Sequence, residues 1–170
     1  LGGRRLEQLF GPAEEGAKPL VPASMWAEIE DEAAAFLASD AGQALKVLGQ
    51  GGARVVTATT DVHEHGKILL DKVLTGAGFC VVDGGVSTDP DTLAELAEGA
   101  QAVLLSTYNG VALRYAQSLT QAMKKPVPVL IGGRLNQIPE ISNTSMPVDV
   151  TAELQELGVV PCAGVEDIPA

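Results

Sequence analysis

The residues best suited to chemistry lie in one short run of the chain, Asp61-Val62-His63-Glu64-His65-Gly66. An imidazole binds a metal ion well when its second ring nitrogen is held by a hydrogen bond, and a carboxylate is a suitable acceptor for that bond. Asp61 and His63 therefore predict a metal ligand with its supporting carboxylate. Gly66 leaves room for a bulky group close to the backbone. The alternative for the pair alone is a hydrogen-bonded loop histidine without a function.

The elements that position this run follow from the apolar pattern after residue 53. Short apolar runs alternate with segments of helical period, which is typical of a parallel sheet covered by helices on both faces. The pattern predicts an α/β, flavodoxin-like (Rossmann-like), doubly wound sheet of five strands. Ligands bind beyond the carboxyl ends of such strands. The predicted strands are Arg54–Ala58, Phe79–Asp83, Ala102–Ser106, Val127–Ile131 and Val159–Cys162, and the predicted helices are 65–76, 90–98, 111–123 and 151–157.

The chain is expected to divide into an N-terminal helical arm, residues 1–52, and an α/β domain, residues 53–170. Glycine and proline punctuate the start of the arm, and its later part has the period of one or two short helices. The run Gly49-Gln50-Gly51-Gly52 precedes the first strand and lacks the Gly-Lys-Ser/Thr ending of a phosphate loop. The opening residue, Leu1, suggests a piece of a longer protein with a missing partner domain.

Composition narrows the classes of function. The 170 residues are 46% hydrophobic, which is enough for one compact domain. A net charge of −11 argues against nucleic acid as a partner. No apolar run approaches the ~20 residues that span a bilayer, so we expect a cytoplasmic protein without a membrane partner. Cys80 and Cys162 lie in apolar runs and are expected to be buried thiols rather than disulfide or zinc partners.

The run D-x-H-x-x-G, together with Ser106 and the pair Gly132-Gly133, resembles the cobalamin-binding domain family over about residues 53–168. The resemblance implies that the benzimidazole tail of cobalamin leaves the cobalt and lies beside the first strand. His63 then becomes the lower axial cobalt ligand and Asp61 its hydrogen-bonded relay. The Rossmann motif G-x-G-x-x-G is not found after the first strand, so dinucleotide binding has little support.

The same resemblance assigns further residues to the cofactor. Gly66 gives room for the corrin and its tail, and Ser106 contacts the tail. The pair Gly132-Gly133 lets the nucleotide pack against backbone. Lys67, which follows the motif glycine, is also expected among the cofactor-binding residues.

Tyr108 is expected to shape the tail pocket differently from that of the family. The family segment is usually S-x-L, whereas this chain has Ser106-Thr107-Tyr108. Tyr108 is therefore included among the predicted cofactor-binding residues. His65 occupies a variable motif position and is expected to be solvated or at the corrin edge rather than a ligand.

The expected function is that of a corrinoid-carrying subunit or domain of a cobalamin-dependent enzyme. Residues 66–69 and 77–86 are similar to the small subunit of glutamate mutase and nearly as similar to corrinoid methyl carriers. The resemblance favours an adenosylcobalamin-dependent mutase whose catalytic barrel subunit or domain covers the upper corrin face. Methyl carriers and sensors usually have a four-helix bundle before the motif, which does not fit before Ala53. The alternatives are a methyltransferase component that carries methylcobalamin, and a light or redox sensor.

Overall fold

The computed structural model of the chain describes residues 23–138 and 146–169, so residues 1–22 of the expected arm lie outside it. Two helices come first, α1 (Ala23–Ala38) and α2 (Asp40–Gly49). None of the helices within these two ranges is long and apolar enough to cross a membrane. The remaining elements are β1 (Arg54–Thr59), α3 (His65–Ala77), β2 (Cys80–Val86), α4 (Pro90–Leu96), β3 (Ala102–Thr107), α5 (Ala112–Ala122), β4 (Val129–Gly133), β5 (Asn136–Gln137), β6 (Val148–Asp149), α6 (Thr151–Glu156), β7 (Val160–Cys162) and a 3₁₀ turn at Val165–Asp167.

The main sheet has the strand order β2-β1-β3-β4-β7, and all of its neighbouring strands are parallel. Strand β1 pairs with β2 on one side and β3 on the other, so the direction of winding reverses between β1 and β3. The predicted five-stranded, doubly wound sheet is therefore confirmed. Strands β5 and β6 form a separate antiparallel pair that was not predicted.

The two faces of the sheet bury two apolar clusters, because successive strand residues point to opposite faces. Val56 and Leu105 belong to the cluster under α4, α5 and α6. Val55 and Leu104 belong to the cluster under α3, which also takes in residues of α1 and α2. Ile29 of α1 is fully buried in this second cluster. The N-terminal helices thus share a core with the sheet, and the boundary at residue 52 stays a prediction.

Most strands of the main sheet extend further toward the binding edge than their apolar residues indicate. Ser106 pairs with Gly132, and Thr107 pairs with Gly133, so both glycines belong to β4 rather than to a following loop. Backbone pairing does not require apolar side chains. A prediction based on hydrophobicity alone therefore placed the ends of these strands too early.

The two cysteines differ in exposure. Cys162 is 6% exposed, as predicted for a thiol within the core. The prediction that Cys80 is buried is wrong, since this residue is exposed at the start of β2. Strand β2 lies at the edge of the sheet, where one side of a strand has no neighbour to cover it.

Candidate cofactor-binding site

Asp61 is the central acceptor of the site, and its side chain is 6% exposed. Its Oδ1 accepts the backbone N–H of His63 at 2.7 Å and lies 2.9 Å from His63 Nδ1. Its Oδ2 accepts the backbone N–H of Tyr108 at 2.8 Å. A buried carboxylate requires such donors, and here they come from the loops after β1 and β3.

The imidazole of His63 is oriented by this carboxylate but remains accessible, with 65% of its side chain exposed. Donation from Nδ1–H to Asp61 leaves the lone pair of Nε2 available to a metal ion. Within residues 23–138 and 146–169, no group of three or more His, Cys, Asp and Glu side chains forms a metal-binding cluster. A single imidazole is a sufficient protein ligand where a macrocycle supplies the other donors.

The loops that carry Asp61 and Tyr108 are tied together at the switch point of the sheet. The backbone N–H of Thr60 donates to the carbonyl of Ser106 at 3.0 Å. The side-chain hydroxyl of Thr60 donates to Thr107 Oγ1 at 2.9 Å. These bonds hold the end of β1 and the end of β3 in one rigid edge, which is where an open α/β sheet binds ligands.

Tyr108 lies between a candidate ligand and a cation. Its ring centroid is 5.8 Å from that of His63, with the two planes tilted by 39°. The guanidinium carbon of Arg134 lies 5.9 Å from the same ring, in cation–π range. The backbone N–H of Arg134 donates to the carbonyl of Thr107 at 2.7 Å. Arg134 was not predicted as a site residue from the sequence, although its position directly after Gly132-Gly133 places it at the same edge of the sheet.

A cavity of about 350 Å³ opens beside this edge, between the start of α3 and the carboxyl ends of β3, β4 and β7. The predicted residues Gly66, Ser106, Tyr108, Gly132 and Gly133 all line it. Residues from three separate segments of the sequence therefore meet around one space.

Two of these glycines are required by close approaches of the backbone. A Cβ at Gly66 would lie 2.5 Å from Ser106 Oγ. Gly133 has a φ of +99°, and a Cβ there would lie 2.3 Å from the carbonyl oxygen of Thr107. Gly132 is less constrained, since its nearest contact would be at 3.4 Å from the carbonyl oxygen of Cys162.

Lys67 does not line the cavity. Its Nζ is buried and lies 2.8 Å from both Asp71 Oδ2 and Asp83 Oδ1. Burial acts to lower the pKa of Lys67, but the hydrogen bonds and charges of both carboxylates outweigh it and raise that pKa. Burial likewise acts to raise the pKa of Asp83, yet hydrogen bonds from Lys67 and the Gly85 N–H lower it. The contact of Lys67 with the cofactor stays a prediction, whereas its ion pair with Asp83 joins α3 to β2.

His65 is the first residue of α3 and lines the cavity. Its Nε2 lies 3.8 Å from Glu32 Oε2 on α1. The pair places one N-terminal helix beside the cavity, a contact that the sequence did not predict.

Comparison with known proteins bears on the fold and on the sequence as a whole. No protein-family model matches the chain. The chain is 28% identical over 139 residues to methionine synthase of Mycobacterium tuberculosis, a match that spans 78% of this chain and only 11% of that protein. Its fold is similar to the crystal structure of a cobalamin-binding protein from Desulfitobacterium hafniense DCB-2, with a TM-score of 0.54 and 16% identity, covering 98% of this chain and 88% of that one.

The fold similarity extends over the two helices before the sheet as well as the sheet itself. The sequence similarity is independent of it and involves a different protein. Together they confirm that this chain resembles the cobalamin-binding domain family, as its D-x-H-x-x-G motif indicates.

Proposed function

We propose that this chain binds cobalamin with the benzimidazole tail withdrawn from the cobalt and His63 as the lower axial ligand. The observation that carries the proposal is the hydrogen bond between Asp61 and His63 beside the switch point. That bond keeps the proton on Nδ1 and presents Nε2 as a donor. The Asp61 carboxylate also accepts the backbone N–H of Tyr108, which lines the cavity. The cavity supplies a separate place for the displaced tail.

The residues present fit such a group. A corrin provides four nitrogen donors around cobalt, so one accessible imidazole completes the lower side. The cavity volume of about 350 Å³ lies within the range of small-ligand pockets, about 300–1,000 Å³. A Cβ at Gly66 or Gly133 would collide with β3, so both glycines are needed for α3 and β4 to pack as they do around this space. When bound, cobalamin supplies a cobalt–carbon bond whose cleavage is the difficult chemical step.

The protein's own contribution is orientation. Asp61 holds the proton of His63 and fixes the plane of its ring. The Ser106 hydroxyl lines the cavity where it can hydrogen-bond to the polar part of the tail. Lys67 anchors the first turn of α3, and with it Gly66, to the middle of β2. These groups position the lower side of the cofactor.

For the reaction, we propose methyl transfer, with the chain as the corrinoid-carrying domain. The similarity to methionine synthase supports this class, whereas the sequence patterns alone favoured the mutase reaction. Because the chain spans about a tenth of that protein, the substrate-binding parts belong to partner domains or subunits. We expect a catalytic barrel subunit or domain to cover the upper corrin face.

A mutase component is the second candidate, favoured by the likeness of residues 66–69 and 77–86 to the small subunit of glutamate mutase. Complementation separates the two reactions. The chain loaded with methylcobalamin should restore methyl transfer to a methionine synthase that lacks its own cobalamin domain. Restored rearrangement with a mutase barrel subunit and adenosylcobalamin, and no methyl transfer, would favour the second candidate.

Binding itself is tested on the purified chain. Added cobalamin should give the absorption spectrum of the base-off, histidine-ligated form, and His63→Ala should abolish it. His65→Ala is the matched control, because it removes the neighbouring imidazole without touching Asp61. A chain that takes up no cobalamin would contradict the proposal.

A further inference from the structure

The cavity changes character between its mouth and its floor. At the carboxyl end of the strands, Ser106 pairs with Gly132, and both line the cavity. Two residues earlier in each strand, Leu104 pairs with Leu130, and these also line it. A group that enters from the carboxyl edge therefore passes a hydroxyl and backbone first and reaches leucine side chains afterwards.

The floor is built by apolar residues from several elements. Leu69 and Leu104 are 8% and 3% exposed. The floor residues belong to, or pack against, the apolar cluster that includes Ile29 and Leu45 of the two N-terminal helices. They are Leu69, Leu70, Leu104 and Leu130.

The polar side chains of the cavity lie elsewhere. Ser106 and Tyr108 stand at or beyond the last residues of β3, and His65 begins α3. Glu32 is within 3.8 Å of His65, and Glu166 lies in the 3₁₀ turn after β7. Among the lining residues that the structure describes, hydrogen-bonding side chains thus gather toward the mouth.

We propose that this floor selects corrinoids whose lower base is an apolar benzimidazole over those whose lower base is a purine. The inference rests on the proposed function, since it assumes that the tail occupies the cavity. A dimethylbenzimidazole presents a hydrocarbon ring and two methyl groups to the leucines, and their burial is favourable.

An adenine base in the same place is disfavoured. It carries an exocyclic amine and additional ring nitrogens, each of which loses its hydrogen bonds to water on burial. The apolar floor offers no side-chain partner for these atoms. Ser106, at the mouth, has one hydroxyl and cannot satisfy a purine edge several atoms deeper.

The test compares corrinoids on the purified chain. Dissociation constants are measured by absorption titration for cobalamin and for its analogue with an adenine lower base, both as the aquo form. We expect the adenine analogue to bind about 10- to 100-fold more weakly, the scale on which apolar pockets discriminate. Equal constants, with the histidine-ligated spectrum in both cases, would overturn the inference and leave the proposed function intact. Failure of both corrinoids to bind would end the proposed function, and the inference with it.

A variant of the floor makes the test sharper. Leu70→Gln introduces an amide that can donate to and accept from a purine, and it should narrow the ratio of the two dissociation constants at least about threefold. Leu48→Gln is the matched control, because Leu48 is 55% exposed on α2 and does not line the cavity. An unchanged ratio in a folded Leu70→Gln variant would count against the inference. If that variant does not fold, the ratio measured on the unaltered chain decides.

Discussion

Oδ2 of Asp61 accepts the backbone N–H of Tyr108 at 2.8 Å, across the point where the winding of the sheet reverses. The other oxygen of the same carboxylate holds the ring and the backbone amide of His63. One buried side chain therefore sets both the orientation of the candidate ligand and the distance between the loops after β1 and β3.

Asp61→Asn should weaken both the fold and the site. The amide has one acceptor oxygen, so its NH₂ group must face either His63 or Tyr108, and a buried donor is left unpaired. We expect the free energy of unfolding in urea to fall by about 1–3 kcal/mol. Cobalamin affinity should fall by about 10- to 100-fold, as for other partners of metal ligands. Asp31→Asn, an exposed change on α1, should leave both quantities unaltered.

Gly66→Ala tests the close approach between α3 and β3. The new Cβ would lie 2.5 Å from Ser106 Oγ but 3.4 Å from Ser106 Cβ, so the collision depends on the hydroxyl. In a double-mutant cycle with Ser106→Ala, the two changes should couple favourably by about 1 kcal/mol or more in the free energy of unfolding. Effects that add to within about 0.5 kcal/mol would mean that the helix moves away without cost.

Much of this arrangement could be predicted from the sequence, because periodicity and local motifs report local structure. The alternation of apolar runs with helical segments indicated the five strands, and the spacing of Asp61 and His63 indicated their hydrogen bond. Both depend on residues within a few positions of one another. The exposure of Cys80 could not be foreseen, since it depends on which strand lies at the edge of the sheet.

The cavity floor also could not be predicted from the sequence. It joins leucines of α3, β3 and β4, and no periodic pattern links residues so far apart. The partners of Lys67 were missed for a different reason. Its spacing of four residues from Asp71 within one helix is a recognisable ion-pair pattern, but the contact with Asp83 depends on how α3 packs beside β2.

Lys67→Met should destabilise the fold. The change leaves Asp71 and Asp83 without their shared cation, and Asp71 is only 28% exposed. We expect a loss of about 1–3 kcal/mol in the free energy of unfolding, below the value for fully buried pairs because Asp83 is 70% exposed. Urea denaturation of the two proteins at pH 7 measures it. An unchanged midpoint and slope would show that the ion pairs contribute nothing net.

The difference between the unaltered chain and Lys67→Met should also depend on pH. The pKa of Lys67 is raised above its ordinary 10.5, so its contribution is complete below that pH and is lost as the pH rises through the folded value. The pKa of Asp83 is lowered from 3.8, so its contribution is present above that pH and is lost as the pH falls through the folded value. The difference in unfolding free energy should be constant between about pH 5 and 9 and shrink at both extremes. A steady slope through neutral pH would contradict this assignment.

The two thiols should react at different rates with a disulfide reagent such as DTNB. Cys80 is exposed, whereas burial first, and the nearby charge of Asp167 second, raise the pKa of the Cys162 thiol. Cys162 should react at least about tenfold more slowly, and Cys80→Ser should remove only the fast phase. Because Cys162 lines the cavity, added cobalamin should slow the remaining phase further. A slow phase that cobalamin does not affect would argue against a tail in the cavity.

The identity of the atom below cobalt is the most direct test of the central claim. The chain contains two histidines, His63 and His65, so it can be labelled with ¹⁵N-histidine, loaded with cobalamin and reduced to the Co(II) form for electron paramagnetic resonance. A ¹⁴N axial ligand splits each cobalt line into three and a ¹⁵N ligand splits it into two. We predict that labelling converts triplets into doublets, that His65→Gln retains the doublets, and that His63→Ala loses them. Triplets that persist in the labelled chain would mean that the benzimidazole is still bound to cobalt and would contradict the account.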